Sequence, residues 1–133
     1  MRIMLDSNVL FSALAFPGSI VEEIVDHIKR NHTIVLSEYI IDETERIILK
    51  KRKEYYGYFK LQLDLLTDEV VNKNGLNSTQ HPYIEDIDDI PILVAAIEAQ
   101  VDLLITGDTD FDIVKLDKTR ILKPRQYADE YMR

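Results

Sequence analysis

With 133 residues, 46% of them hydrophobic, the chain is long enough for one domain built on one core and too short for two. It has no cysteine, which excludes disulfide frameworks and zinc–thiolate sites and leads us to expect a cytoplasmic protein. A formal net charge of −8 excludes polyanion binding through the overall field, so an anionic partner must be met by a local basic patch. No apolar stretch is long enough to span a bilayer, and Met1-Arg2-Ile3-Met4-Leu5-Asp6 reaches an acid too soon for a secretory leader.

Read in chain order, the first apolar β-rich run is Arg2–Leu5, closed by Asp6. Pro17-Gly18-Ser19 then opens a helical pattern in which Ile20, Ile24 and Ile28 recur four apart on one face. A second strand is expected over 33–36, and Ser37 can cap the helix after it. That helix carries Ile40, Ile41, Thr44, Ile47 and Ile48 as an apolar stripe and ends in the basic run Lys50-Lys51-Arg52-Lys53. The run suits either a polyanion contact or a solvated helix end favoured by the helix dipole. A Tyr-rich helical segment follows over 55–66. Its Tyr55, Tyr56, Tyr58 and Phe59 suggest either a self-association surface or a cap on the chain's own core.

After a weaker strand at Val70-Val71, residues 72–88 are polar and read as loop. A helix at Ile90–Ala99, a strand over 103–106 and a fifth short strand at Arg120–Leu122 complete the pattern. A looser basic group, Lys115, Lys118, Arg120, Lys123 and Arg125, surrounds that last strand. Strands alternating with helices predict a parallel sheet covered on both faces, with no repeat or linker to divide residues 1–133.

In such a sheet the crevice lies at the carboxyl edge, where strands end and loops begin. Asp6 closes the first strand and Thr106-Gly107-Asp108 closes the fourth, so both acids sit where ordinary surface is hard to invoke. At about 100° per residue, Glu43 falls at the border of the isoleucine stripe, while Asp42 and Glu45 point further away. Asp89 stands just before a helix, a place that also suits a simple cap. Four converging carboxylates repel one another and are tolerated mainly with a cation. The all-oxygen set fits Mg²⁺ or Mn²⁺, which support hydrolysis of phosphodiesters.

These motifs resemble the PIN-domain family, in particular its toxin components of bacterial and archaeal toxin–antitoxin systems, over nearly the whole chain. The matching segments are Met4-Leu5-Asp6-Ser7-Asn8-Val9-Leu10, Glu43 before its aliphatic run, Asp86-Ile87-Asp88-Asp89-Ile90-Pro91-Ile92-Leu93, and Leu104-Ile105-Thr106-Gly107-Asp108-Thr109-Asp110-Phe111. The last is the most specific. The resemblance implies a three-layer α/β/α sandwich around a mainly parallel sheet of about five strands. It also implies an Mg²⁺- or Mn²⁺-dependent ribonuclease with Asp6, Glu43, Asp89 and Asp108 as catalytic and metal-binding acids. Ser7, Asn8 and Thr106 match supporting positions, and Asp86, Asp88 and Asp110 are further candidates for the metal shell. On this reading the substrate is single-stranded RNA, guided by Lys50, Lys51, Arg52 and Lys53, and the partners are a cognate antitoxin and a second copy of the chain. Two other classes fit less well: a phosphatase, which would want a second carboxylate where Asn8 stands, or a phospho-receiver, which would want an acceptor Asp after the third strand where Asn72 stands, and a binding module that keeps the fold without the chemistry.

Overall fold

Ile3, Met4 and Leu5 are apolar without alternation, as a strand covered on both faces requires, and all three are fully buried. In the computed structural model, which describes residues 1–71 and 81–133, Arg2–Leu5 (β1) is the centre of a five-stranded parallel sheet. Thr33–Ser37 (β2) and Leu103–Ile105 (β4) flank it, and Glu69–Val71 (β3) and Arg120–Leu122 (β5) form the edges, giving the order β3-β2-β1-β4-β5. Leu5 pairs with Ile105, so the next residues, Asp6 and Thr106, leave the sheet side by side.

Helices Ser7–Ala15 (α1) and Ile20–Asn31 (α2) join β1 to β2, and Glu38–Lys51 (α3) and Tyr56–Leu66 (α4) join β2 to β3. Ile90–Ala99 (α5) precedes β4, and Pro124–Tyr131 (α6) follows β5. The chain steps outward from β1 to β3 and then returns to the other side of β1 at β4. Because parallel crossovers are right-handed, this reversal puts α5 on the face opposite α1 to α4, and the result is a three-layer α/β/α sandwich. The point of reversal lies between β1 and β4.

Local chemistry explains the helix starts and the buried faces. The Ser19 hydroxyl accepts from the Glu22 N–H at 3.2 Å and the Ser37 hydroxyl from the Ile40 N–H at 3.1 Å, caps worth about 1 kcal/mol each. Ile24, Val25 and Ile28 bury one face of α2, and Ile40, Thr44 and Ile48 bury one face of α3. Removing such a side chain from water is worth roughly 1.5–3 kcal/mol.

Two helices lie outside the expected pattern. In α1, Val9, Leu10, Ala13, Leu14 and Ala15 are all buried, and in α6 only Tyr127 is. Tyr127 is fastened from two sides, with His27 Nδ1 at 2.7 Å from its hydroxyl and the Tyr131 ring stacked at 5.1 Å. Of the expected loop over 72–88, residues 72–80 lie outside the described residues, and 81–86 have no regular structure. Ile87–Asp89 forms one turn of 3-10 helix.

Two members of the aromatic segment, Tyr56 and Phe59, face the chain's own core, while Tyr58 stays exposed. Phe59 is fully buried, Tyr56 packs against the core, and the Arg52 guanidinium lies 4.5 Å from the Tyr55 ring centre. The large apolar side chains that α4 leaves most exposed are Leu61 and Leu65. Among the described residues no single helix is long and apolar enough to cross a membrane.

Candidate metal centre

Asp6 is the first residue beyond β1. Its N–H still donates to the Ile105 carbonyl at 2.9 Å, and its side chain caps α1, which turns away at once. The carboxylate is 2% exposed and well supplied with donors. Oδ1 accepts from the Ser7 N–H at 2.6 Å and faces the Ser7 hydroxyl at 3.2 Å. Oδ2 accepts from the Thr106 hydroxyl at 2.6 Å and from Asn8 Nδ2 at 3.4 Å. Burial pushes this carboxyl's pKa above the usual aspartate range, with the Glu43 charge adding to the rise, while the bonds from Thr106 and Ser7 pull the other way.

Two hydroxyls extend this network. The buried Ser7 hydroxyl also contacts Glu43 Oε1, so it stands between the carboxylates of β1's end and of α3. The Thr106 oxygen accepts from the Asp108 N–H at 3.1 Å while its proton goes to Asp6, which places the acid after β4 relative to the acid after β1. Asn8 Oδ1 accepts from the Gly107 N–H at 3.3 Å across the same gap.

Asp89 is built differently. It is 8% exposed and stands before α5, yet its side chain makes no capping bond there. Its Oδ2 is buried and has no hydrogen-bond partner among the described residues. Burial first, and then the charges of Asp108, Asp86 and Asp6, push its pKa up to about 7. The contact with the Asp108 carboxyl raises it further, because two such carboxyls sit together best when one of them carries a proton. Asp110, on a second 3-10 turn at Thr109–Phe111, is likewise raised by partial desolvation and by Asp108, Glu85 and Asp86.

The two turns share a construction. Asp86 Oδ1 accepts from the Asp88 N–H and Asp108 Oδ1 from the Asp110 N–H, each at 2.9 Å. Among the described residues, Asp86, Asp89 and Asp110 bring carboxylate oxygens within 4.8 Å of one another, a grouping that could hold a metal ion. It shares only Asp89 with the expected quartet of Asp6, Glu43, Asp89 and Asp108. Those four are nevertheless linked, through Ser7, through Thr106 and through the charges of Asp108 and Asp6 that act on Asp89. A donor set of carboxylates alone, including one buried oxygen without a partner, fits a hard divalent cation. A pocket of about 330 Å³ lined by Thr106, Asp108, Phe111, Lys123 and Gln126 opens beside it. A cavity of about 340 Å³ at Ile97, Gln100, Leu116 and Thr119 contains none of these acids.

The basic run at the end of α3 divides. Lys50, Lys51 and Lys53 are exposed, whereas Arg52 donates to the Ala15 carbonyl at 3.1 Å and lies over the Phe16 and Tyr55 rings at 4.7 and 4.5 Å. Arg52 therefore closes the carboxyl end of α1. At 1.5 Å rise per residue, the run sits roughly 10–15 Å along α3 from Glu43.

Tyr39, which the residue pattern did not single out, reaches the same crevice. Its hydroxyl lies 3.3 Å from Glu43 Oε2 and 3.2 Å from the Asp88 carbonyl. The one visible clue in the sequence is its place four residues before Glu43, on the same helical face.

Comparison with known proteins agrees with this architecture. The family model described as "PIN domain" matches residues 2–110. No curated protein matches the sequence significantly. Among solved structures, VapBC2 from Rickettsia felis, bound to a DNA fragment from their promoter, superposes with a TM-score of 0.70 at 16% identity, covering 92% of this chain and 98% of that one. VapC20 from Mycobacterium tuberculosis, a sarcin–ricin loop cleaving toxin, superposes with a TM-score of 0.56 at 11% identity, covering 83% and 92%. At such identities the likeness speaks for the fold, and the family model covers most of the chain, including both strand-end acids. The chain belongs to the PIN-domain family.

Proposed function

We propose that the protein is a divalent-metal-dependent endoribonuclease that hydrolyses phosphodiester bonds in single-stranded RNA, and that it is the toxin of a toxin–antitoxin pair. The observation that carries the reading is the gathering of acids where the sheet reverses, with a buried Asp89 Oδ2 that has no hydrogen-bond partner among the described residues. Asp6, Asp89, Asp108 and Glu43 are the residues we assign to the metal, with Asp86 and Asp110 flanking Asp89. Mg²⁺ or Mn²⁺ held there would supply Lewis acidity at a phosphoryl oxygen and acidify an attacking water.

The chain's own residues do the positioning. Ser7 and Thr106 fix the Asp6 carboxylate, and Thr106 at the same time fixes the backbone before Asp108. Glu43 is held through Ser7 but is only half-buried, so it is the acid we assign to take up a proton released from water. Lys50, Lys51 and Lys53 are proposed to guide the RNA backbone, without Arg52, whose guanidinium is occupied. The toxin reading is supported by the fold shared with VapBC2 and VapC20. It implies a cognate antitoxin and a cytoplasmic location, and a homodimer formed through the aromatic region would draw on the exposed Tyr58 together with Leu61 and Leu65.

Incubation of the purified protein with end-labelled single-stranded RNA tests the reading. Cleavage is expected with Mg²⁺ or Mn²⁺ and should stop with chelator. Cleavage that persists in excess chelator, contaminating nucleases being excluded, overturns the metal assignment. Replacing Lys50, Lys51 and Lys53 together by Gln should weaken RNA binding and flatten its salt dependence while metal binding is kept. Unchanged binding would return the run to an ordinary solvated helix end.

A further inference from the structure

Glu43 and Asp89 come from distant parts of the chain, and no backbone bond of the sheet relates them. The Tyr39 side chain spans that gap. It projects from the first turn of α3 on the face shared with Glu43, and its ring packs against the core. Its hydroxyl lies 3.3 Å from Glu43 Oε2 and 3.2 Å from the carbonyl of Asp88, the residue before Asp89. One phenolic proton is thus offered to two acceptors. One belongs to an acid on α3, and the other to the backbone of the 3-10 turn that carries Asp86 and Asp89.

We propose that Tyr39 is a positioning residue for the metal centre, joining the Glu43 carboxylate to the turn bearing Asp86 and Asp89 so that the two sides of the crevice are presented to one ion at a fixed separation. This rests on the reading of the acids as a metal site. With Ser7 holding the other Glu43 oxygen, the carboxylate has one donor on each oxygen, and loss of the phenol would leave it free to turn about its stem. The Asp88 carbonyl would lose the same anchor.

Tyr39→Phe keeps the packed ring and removes the hydroxyl alone. Calorimetric titration with Mn²⁺ should show a dissociation constant raised about threefold to tenfold, in keeping with the net worth of one hydrogen bond. The melting temperature in chelator should stay close to that of the wild type. RNA cleavage should shift to higher Mn²⁺ and recover at saturating Mn²⁺. Tyr58→Phe, which removes a hydroxyl 3.4 Å from Glu22 on α2, should leave Mn²⁺ affinity unchanged. If the wild type binds Mn²⁺ and Tyr39→Phe binds it equally well, or if both Tyr variants weaken it alike, the inference is overturned and the metal site stands. If the wild type shows no saturable binding, the metal reading and the inference fall together.

Discussion

Asp6 and Asp89 are both buried aspartates at the carboxyl edge of one sheet, 2% and 8% exposed, yet their surroundings are opposite in kind. Asp6 is surrounded by donors from Ser7, Asn8 and Thr106, whereas among the described residues Asp89 has an oxygen without a partner and carboxylates for neighbours. In the first arrangement the donors offset part of the cost of burying the charge and tie together the strand ends they join. The second destabilises the metal-free fold and is worth keeping only for something that binds there. Within one site, then, the β1 and β4 ends form a rigid base, and the two 3-10 turns form a strained rim.

Substitutions should separate the two halves by sign. Asp6→Ala removes a helix cap and leaves the Thr106 hydroxyl without its acceptor, so a loss of about 2–3 kcal/mol in unfolding free energy is expected in denaturant titrations with chelator present. Thr106→Val removes the proton given to Asp6 and the oxygen that accepts from the Asp108 N–H, and should cost about 1–2 kcal/mol in the same assay. A neutral outcome for both would mean that the base is no more rigid than the rim.

On the rim the expected sign reverses. Above about pH 7, where Asp89 has lost its proton, Asp89→Asn removes one charge from the crowded group and should raise metal-free stability by about 1 kcal/mol. Asp86→Asn keeps an oxygen that can accept from the Asp88 N–H and lies at an exposed position, so its effect should fall within about 0.5 kcal/mol of zero. A marked loss in either variant would show that the rim acids are structural.

Outside the site, Asp68 offers a pH control. Its bonds to the Lys29 ammonium at 2.7 Å and the Ile34 N–H at 2.9 Å hold its pKa below the ordinary aspartate value. Its contribution to stability is therefore complete above the unfolded pKa near ~3.9 and is lost as pH falls through the lower folded value. Asp68→Asn should narrow the stability difference between pH 6 and pH 3, measured in denaturant titrations. An unchanged difference would assign the acid sensitivity elsewhere.

The base was more legible in the sequence than the rim, for a physical reason. Strands β1, β2 and β4 are apolar runs, and an acid immediately after β1, or within a Thr-Gly-Asp after β4, has its place fixed by the strand before it. The rim depends on which of Asp86, Asp88 and Asp89 a single 3-10 turn aims inward, and one residue of rotation changes the answer. Asp110 beside Asp89 and Tyr39 beside the Asp88 carbonyl are contacts between distant segments, the second to a backbone atom that carries no side-chain mark. Helix α1 escaped because Ser7–Ala15 is short and mostly buried, which removes the polar face that would reveal its period. Helix α6 escaped for the opposite reason, having one buried residue in a polar stretch. Arg52 looks like its lysine neighbours in sequence, and only the packing of Phe16, Tyr55 and the end of α1 separates it from them.

Thermal melts of the wild type and Asp89→Asn, each with chelator and with excess Mn²⁺, test the central claim most directly. An ion that binds the folded site and not the unfolded chain stabilises by mass action, by about 2.7 kcal/mol at a hundredfold excess over its dissociation constant. The ranking is expected to invert, with Asp89→Asn melting at or above the wild type in chelator and clearly below it in Mn²⁺. A variant that melts well below the wild type in chelator, or that gains as much from Mn²⁺ as the wild type does, would contradict it.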